Sequence, residues 1–320
     1  MPHATRPVTV RQFFSPHGPL SMWHPNFEFR PGQLEMALEV EAALKESKCL
    51  IVEAGTGTGK TLAYLVPAIL SGRRVIISTG TKNLQEQLFF KDVPFLQQHF
   101  DRPLRVCYMK GRANYACRQK IYDAEKEPIL AGLEEVADFE IIREWEKTTQ
   151  TGDRAEIRAL PETSTVWPKL DARREACAGQ KCPQFERCFI TRSRQQAAAS
   201  DIIIVNHHLF FADLAVKEEE YGSIIPEYAA VVFDEAHEIE DVVGQYFGVS
   251  ASNYETNQTL DVLDTGINIF IAGDTSCGGI ASLAPDCSVE HHPAPAATGP
   301  GPTPAPSAAG EEDPGRGGGV

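Results

Sequence analysis

The chain holds 320 residues with a formal net charge of −14, 42% of them hydrophobic and 23% charged, which is enough for one large or two modest domains with a real core. It contains no apolar run of about 18 residues, so no helical membrane span is expected, and Arg6 and Arg11 are followed by no apolar stretch of the kind a secretory signal carries. No membrane partner and a cytoplasmic location are therefore the expectations.

The first expected strand is the apolar run Cys49-Leu50-Ile51-Val52. After it come Ala54-Gly55-Thr56-Gly57-Thr58-Gly59-Lys60-Thr61, then a helical pattern of Leu62, Leu65, Val66, Ile69 and Leu70. Strand, glycine-rich loop and helix in that order make a phosphate cradle. The glycines let backbone N–H groups close around phosphate oxygens where a Cβ would clash, and the helix N-terminus faces the anion. Lys60 supplies a point charge for the β- and γ-phosphates, and the Thr61 hydroxyl is placed for Mg²⁺. A Gly/Thr-rich loop alone is often a flexible turn; the Lys-Thr pair and the strand before it argue against that here.

Strands are expected near Leu50–Glu53, Val75–Ser78, Arg105–Met109, Ile202–Val205 and Val231–Phe233. The last runs directly into Asp234-Glu235-Ala236-His237. Asp234 can hold the Mg²⁺ shell, and Glu235 can polarise an attacking water. Taken alone, such a pair reads as a solvated turn. After a phosphate loop in the same chain it reads as the second half of an ATP site. Apolar strands alternating with amphipathic helices predict a parallel α/β sheet covered on both faces, with loop and Asp234 both at carboxyl ends of strands.

Charge is distributed unevenly along the chain. Arg102, Arg105, Lys110, Arg112, Arg118 and Lys120 form one basic island without an acid, and Lys181, Arg187, Arg192 and Arg194 form a second against Glu186 alone. Between them the chain is acidic. Basic islands in an acidic chain suggest a localised polyanion path, or equally an ordinary solvated surface. Of the eight cysteines, the four that read as a group lie in or next to these islands: Cys117, then Cys177, Cys182 and Cys188. Cys49 and Cys107 lie in strand-like contexts and read as buried hydrophobes. Clustered cysteines in a cytosolic enzyme point to metal rather than disulfides. No tight C-x-x-C zinc knuckle is present, and four looser thiolates suit an iron–sulfur cluster. On spacing alone, cluster, zinc and no metal all stay open.

The loop form A-x-x-G-x-G-K-T, with Ala54 where the general pattern has glycine, and the D-E-A-H box together resemble superfamily 2 helicases rather than GTPases or transporter ATPases. The cysteine pattern resembles the iron–sulfur helicases of the DinG and XPD type, which place one isolated cysteine and a later trio between those two motifs. Here these are Cys117, preceded by Lys110 to Ala116, and Cys177, Cys182 and Cys188. Phe29-Arg30-Pro31-Gly32-Gln33 resembles the family's Q motif, which implies that Gln33, with Arg30 beside it, reads adenine. The segment Ile77 to Leu88 resembles a motif that grips the DNA backbone, and Ser200 to Leu209 resembles the segment before the D-E-A-H strand. The resemblance runs from about Phe27 to about Ser250.

That resemblance implies a RecA-like P-loop domain interrupted by a helical cluster domain. The expected layout is an N-terminal extension (1–26), the first part of the motor domain (27–110), the iron–sulfur insertion (111–199), the second part with the D-E-A-H box (200–250), the start of an arch-like segment (251–270) and a disordered low-complexity tail (271–320). Residues 291–320 contain seven Pro, seven Gly and six Ala; such a stretch cannot offset its chain entropy by burial and is expected to be disordered. The family's second motor domain is not matched, so truncation or a shifted reading frame, and weak turnover by this chain, are further expectations. The implied activity is ATP-dependent 5′→3′ DNA unwinding in DNA repair, with ATP, Mg²⁺ and a 4Fe–4S cluster as cofactors and single-stranded or forked DNA as partner. His237 would couple hydrolysis to DNA. The alternatives are a catalytically silent ATP- and DNA-binding protein and a redox-sensing DNA-binding protein.

Overall fold

In the computed structural model the described residues are 8–247, apart from 25–26, 56, 99, 101–102, 128–129 and 219–222, together with 267–272 and 288–292. Their strands are β1 (Leu50–Ala54), β2 (Val75–Thr79), β3 (Val106–Tyr108), β4 (Ile202–Asn206), β5 (Ala230–Asp234), β6 (Ile267–Ala272) and β7 (Ser288–His292). They form one sheet in the order β3-β4-β2-β5-β6-β1-β7, and every pairing is parallel. The expected α/β class is what the chain adopts.

Runs such as Val75-Ile76-Ile77 and Ile202-Ile203-Ile204-Val205 are buried throughout, as strands covered on both faces must be. The two-residue side-chain period divides each run between two cores. Val52, Ile77, Ile204 and Val232 face one layer. Ile51, Ile76, Ile203 and Val231 face the other. The first layer packs under helices α1 (Val10–Phe13), α2 (Pro19–Trp23), α3 (Pro31–Glu46) and α4 (Lys60–Ser71). Helix α5 (Lys82–Gln87) runs through a π-helical turn, Leu88–Asp92, into α6 (Val93–Gln97).

Between β3 and β4 the chain leaves the sheet through α7 (Arg118–Lys126), α8 (Leu133–Glu146), α9 (Trp167–Leu170) and α10 (Phe189–Ala199). This part has a core of its own around Ile121, Phe139, Ile142, Trp167, Leu170 and Phe189. Helices α11 (His207–Glu218) and α12 (Ile239–Phe247) then cover the second face.

Three places differ from the sequence reading. Val10, Phe13, Phe14 and Leu20 are buried in the main core, so the described residues 8–24 of the expected N-terminal extension pack with the sheet domain; the rest of that segment lies outside the described residues. Strand β6 occupies residues expected to begin an arch, and lies between β5 and β1. Strand β7 pairs with β1 inside the segment expected to be disordered. The signal for β6 was present in Ile267-Asn268-Ile269-Phe270-Ile271, a β-branched run. The residues of the expected tail beyond 292 lie outside the described set.

Candidate functional site

The phosphate loop leaves β1 at Ala54, which is fully buried, and enters α4 at Lys60. Gly57 and Gly59 adopt φ of +78° and +83°, a left-handed conformation that glycine enters at little cost. At Gly59 the requirement is double, since a Cβ there would sit 2.1 Å from Gln33 Nε2. Thr58 closes the turn by donating its hydroxyl to the Gly55 carbonyl at 2.9 Å. Thr56 lies outside the described residues. Arg30, at the N-cap of α3, donates from Nη1 to the Gly57 carbonyl. Gln33 donates from Nε2 to the Gly59 carbonyl at 3.0 Å. Both residues of the expected adenine-reading motif therefore brace the loop itself.

Opposite the loop, β5 ends at Asp234, which is 5% exposed. Glu235 follows with φ +56°, a conformation that costs a residue with a Cβ on the order of 1–3 kcal/mol and recurs at functional turns. Its backbone N–H donates to Asp234 Oδ1 at 3.1 Å. Lys60 Nζ lies 3.5 Å from Glu235 Oε1, with the two side chains 15% and 26% exposed. His237 Nδ1 lies 3.5 Å from Glu235 Oε2. The two motifs meet although β6 stands between their strands.

Burial pushes the Asp234 carboxyl up to about 6, with the Glu235 charge adding to it and the Tyr64 hydrogen bond opposing it. Tyr64, fully buried on α4, donates its hydroxyl to Asp234 Oδ2 at 2.8 Å. A third buried group stands behind the turn. His207 Nδ1 is 2.7 Å from Ser78 Oγ, and burial lowers its pKa to about 4. Sequence reasoning missed both Tyr64 and His207. For Tyr64 the signal existed, because it follows Lys60 by one helical turn and so shares its face.

The arrangement is two-sided. Loop amides, Lys60 and Arg30 offer positive charge, while Asp234 and Glu235 face them with negative charge. An anion held by the first would be repelled by the second unless a divalent cation came with it. The Thr61 hydroxyl and the Asp234 carboxylate are hard oxygen donors of the kind Mg²⁺ takes. The residues fit a metal-bound polyphosphate.

The four cysteines occupy a separate region. Cys177, Cys182 and Cys188 each end a short 3₁₀ turn in extended backbone, and Cys117 is extended at the N-cap of α7. Cys117 and Cys188 pack against one apolar patch of Tyr115, Ala172 and Ile190. Burial pushes the Cys117 thiol up. At Cys177 burial pushes up as well, but the Gly179 amide and Arg112 outweigh it and the thiol lies below its ordinary value. Four thiols match an iron–sulfur cluster in number and chemistry. Among the described residues, however, no three His, Cys, Asp or Glu side chains converge as a metal-holding group. Cys107 is buried, as expected of it; Cys49, read the same way, is instead only partly buried and disulfide-bonded.

Two residues of the first basic island are engaged within the fold. Lys110 is buried, its Nζ 2.7 Å from Asp153 and 3.1 Å from Glu86. Arg112 donates to the Ala172 carbonyl. Lys110 thereby links Asp153, in the region between β3 and β4, to Glu86 on α5, while Arg112 makes its contact within that region. Tyr115 is buried, and its hydroxyl accepts from the Lys110 backbone N–H at 3.0 Å.

Residues 32–152 match the family model described as DEAD/DEAH box helicase. The ATP-dependent DNA helicase YoaA of Haemophilus influenzae is 41% identical over 244 residues, which is 76% of this chain and 38% of that protein. The ATP-dependent helicase DinG of Mycobacterium tuberculosis is 35% identical over 237 residues, 67% of this chain and 35% of its own length. An XPD helicase structure is matched at 16% identity and a TM-score of 0.41, covering 73% of this chain and 37% of that one, a likeness that carries no argument here. The chain spans 35–39% of the length of the YoaA and DinG helicases that head the curated relatives.

Proposed function

We propose, from the premise that the chain carries a DEAD/DEAH box helicase domain and is homologous to the YoaA and DinG helicases, that it is the ATP-binding motor portion of an ATP-dependent DNA helicase. One observation carries the reading. Lys60 of the phosphate loop faces Glu235 of the D-E-A-H turn at 3.5 Å, at the carboxyl ends of parallel strands. In the proposed cycle Gly55 to Thr61 and Lys60 hold the phosphates, and Arg30 and Gln33 fix the loop's shape. Thr61 and Asp234 would hold Mg²⁺, which neutralises charge on the transferring phosphoryl group. Glu235 orients the attacking water. His237, 3.5 Å from that carboxylate, relays its position to the DNA-facing side.

Glu238 supports that relay. A Cβ at Gly80 would lie 2.1 Å from its carboxylate, so the turn after Asp234 presses on the loop after β2. The finer parts of the proposal are 5′→3′ movement on single-stranded or forked DNA, a role in DNA repair, a cytoplasmic location, and a 4Fe–4S cluster on Cys117, Cys177, Cys182 and Cys188. The resemblance in cysteine pattern supports the cluster, as do the shared extended conformation at all four positions and the packing of Cys117 beside Cys188. Cluster assembly would have to draw the thiols together.

Titrating labelled single-stranded DNA into the chain at several salt concentrations tests the DNA half of the proposal. Sequence-tolerant binding that weakens with salt, with a log–log slope of about −0.7 per neutralised phosphate, is expected. Affinity that is absent or indifferent to salt contradicts it.

A further inference from the structure

We infer that Tyr64 is a positioning residue for the Mg²⁺-binding pair, holding the Asp234 carboxylate and the Thr61 hydroxyl in their ligating arrangement before nucleotide arrives. The inference rests on the reading of this site as one that binds a Mg²⁺-nucleotide.

Tyr64 is the largest fully buried side chain of the described residues. A buried tyrosine hydroxyl needs a partner, but this one could have been met by any carbonyl. It is met by Asp234 Oδ2, 2.8 Å away and 170 positions along the chain. Its other neighbour in hydrogen-bonding reach is the Thr61 side chain. The hydroxyl therefore sits between the two hard-oxygen groups of the site. Asp234 Oδ1 is fixed from the other side by the Glu235 amide. With both oxygens tied, the carboxylate cannot rotate about its terminal torsion, which is otherwise soft.

The placement follows from the helix. Lys60 opens α4 and Tyr64 follows one turn later on the same face. One turn thus presents Lys60 to Glu235 and Tyr64 to Asp234. Phosphate charge and metal ligand are set by a single rigid element. Partners of metal ligands in other sites act this way, orienting the ligand without touching the metal.

The test is a Mg²⁺ titration of the binding of a fluorescent ATP analogue to the full chain, as wild type and as Tyr64→Phe. Phe keeps the ring and removes only the hydroxyl. The Mg²⁺ midpoint should rise by about tenfold, the lower end of the 10–100-fold typical for lost partners of metal ligands. Affinity for the analogue in EDTA should stay unchanged, whereas a merely structural role would lower it as well. Because Tyr64→Phe leaves a buried carboxylate oxygen unpaired, a second pair guards against loss of fold. In the Asp234→Asn background, which has lost most of the Mg²⁺ dependence, adding Tyr64→Phe should change what remains far less than the tenfold expected in the wild type, since only the uncharged Thr61 hydroxyl is left to orient. An unchanged midpoint in Tyr64→Phe, or a shift as large in the Asp234→Asn background as in the wild type, overturns the inference while leaving the nucleotide site standing. A wild-type chain that binds no nucleotide at any Mg²⁺ concentration overturns the site reading and the inference together.

Discussion

At the scale of single residues, the site contains two buried groups that titrate in opposite senses. His207 has its pKa lowered by burial from the ordinary 6.5 to about 4. Between those values the unfolded chain binds the extra proton, so this group's effect is to lower stability as pH falls from 6.5 to 4. Asp234 has its pKa raised by burial from 3.8 to about 6. The folded chain then binds the extra proton, and this group's effect is to raise stability as pH falls from 6 to 3.8. Each shift of about two units corresponds to roughly 3 kcal/mol as an upper figure, so the two offset one another in the wild type. His207→Gln should gain stability over wild type progressively below pH 6.5. Asp234→Asn should be more stable than wild type at pH 7, with that gain fading below pH 6. Urea unfolding across pH 4–8 reads both, and parallel curves for all three proteins would count against the buried placements.

The residue scale also shows what could be read from sequence. The phosphate loop was legible because its chemistry is contiguous: glycines, lysine and threonine act within eight positions. Asp234 and Glu235 were legible because they end a strand. Tyr64 escaped because its importance lies in a contact 170 positions distant. Gln33 and Arg30 were found, yet their observed contacts with Gly59 and Gly57 could not be foreseen from a motif that says only what family members bind.

At the scale of elements, Lys110 joins three parts of the chain. It follows β3 and reaches Glu86 on α5 and Asp153 in the region between β3 and β4. Tyr108 lies under its ammonium at 4.9 Å. Burial opposes the charge on Lys110, but Asp153 and Tyr108 raise its pKa above the ordinary lysine value. Removing one partner of a buried ion pair typically costs about 3–5 kcal/mol. Because Glu86 is 40% exposed, the lower end of that range, about 3 kcal/mol, is expected for Lys110→Ala. The loss should appear as a lowered midpoint in urea. If unfolding is unaffected and only DNA affinity falls, Lys110 is a phosphate contact after all. From sequence Lys110 was open between a polyanion path and ordinary surface, because a basic island shows charge without showing burial; the acids beside it are 24 and 43 positions away along the chain.

At the scale of the molecule, the parallel sheet and its two-sided cover followed from the continuous apolar runs. Five strands were legible, four of them because they carry β-branched residues in succession and β3 because its three residues are apolar or aromatic. Strand β6 was overlooked because its run is isolated from any helical pattern, and β7, Ser288–His292, has one β-branched residue in five. The region between β3 and β4, with its separate core, gives the molecule a second body on which the cysteines sit. Anaerobically purified chain should be brown and carry close to four irons, matching the full complement of a four-thiolate cluster. Stoichiometric zinc without labile sulfide would assign the cysteines to another metal.

The central claim is that the phosphate loop and the D-E-A-H turn form one Mg²⁺-nucleotide site. Equilibrium binding of ATP to the wild type, Lys60→Ala and Asp234→Asn, each with and without Mg²⁺, tests it most directly. The account predicts wild-type binding that strengthens with Mg²⁺ and falls at least about tenfold in Lys60→Ala, the scale of one hydrogen bond to a charged group of about 1.5–3 kcal/mol. It predicts that Asp234→Asn loses most of the Mg²⁺ dependence. Wild-type affinity retained in Lys60→Ala, or binding indifferent to Mg²⁺ in the wild type, would contradict it.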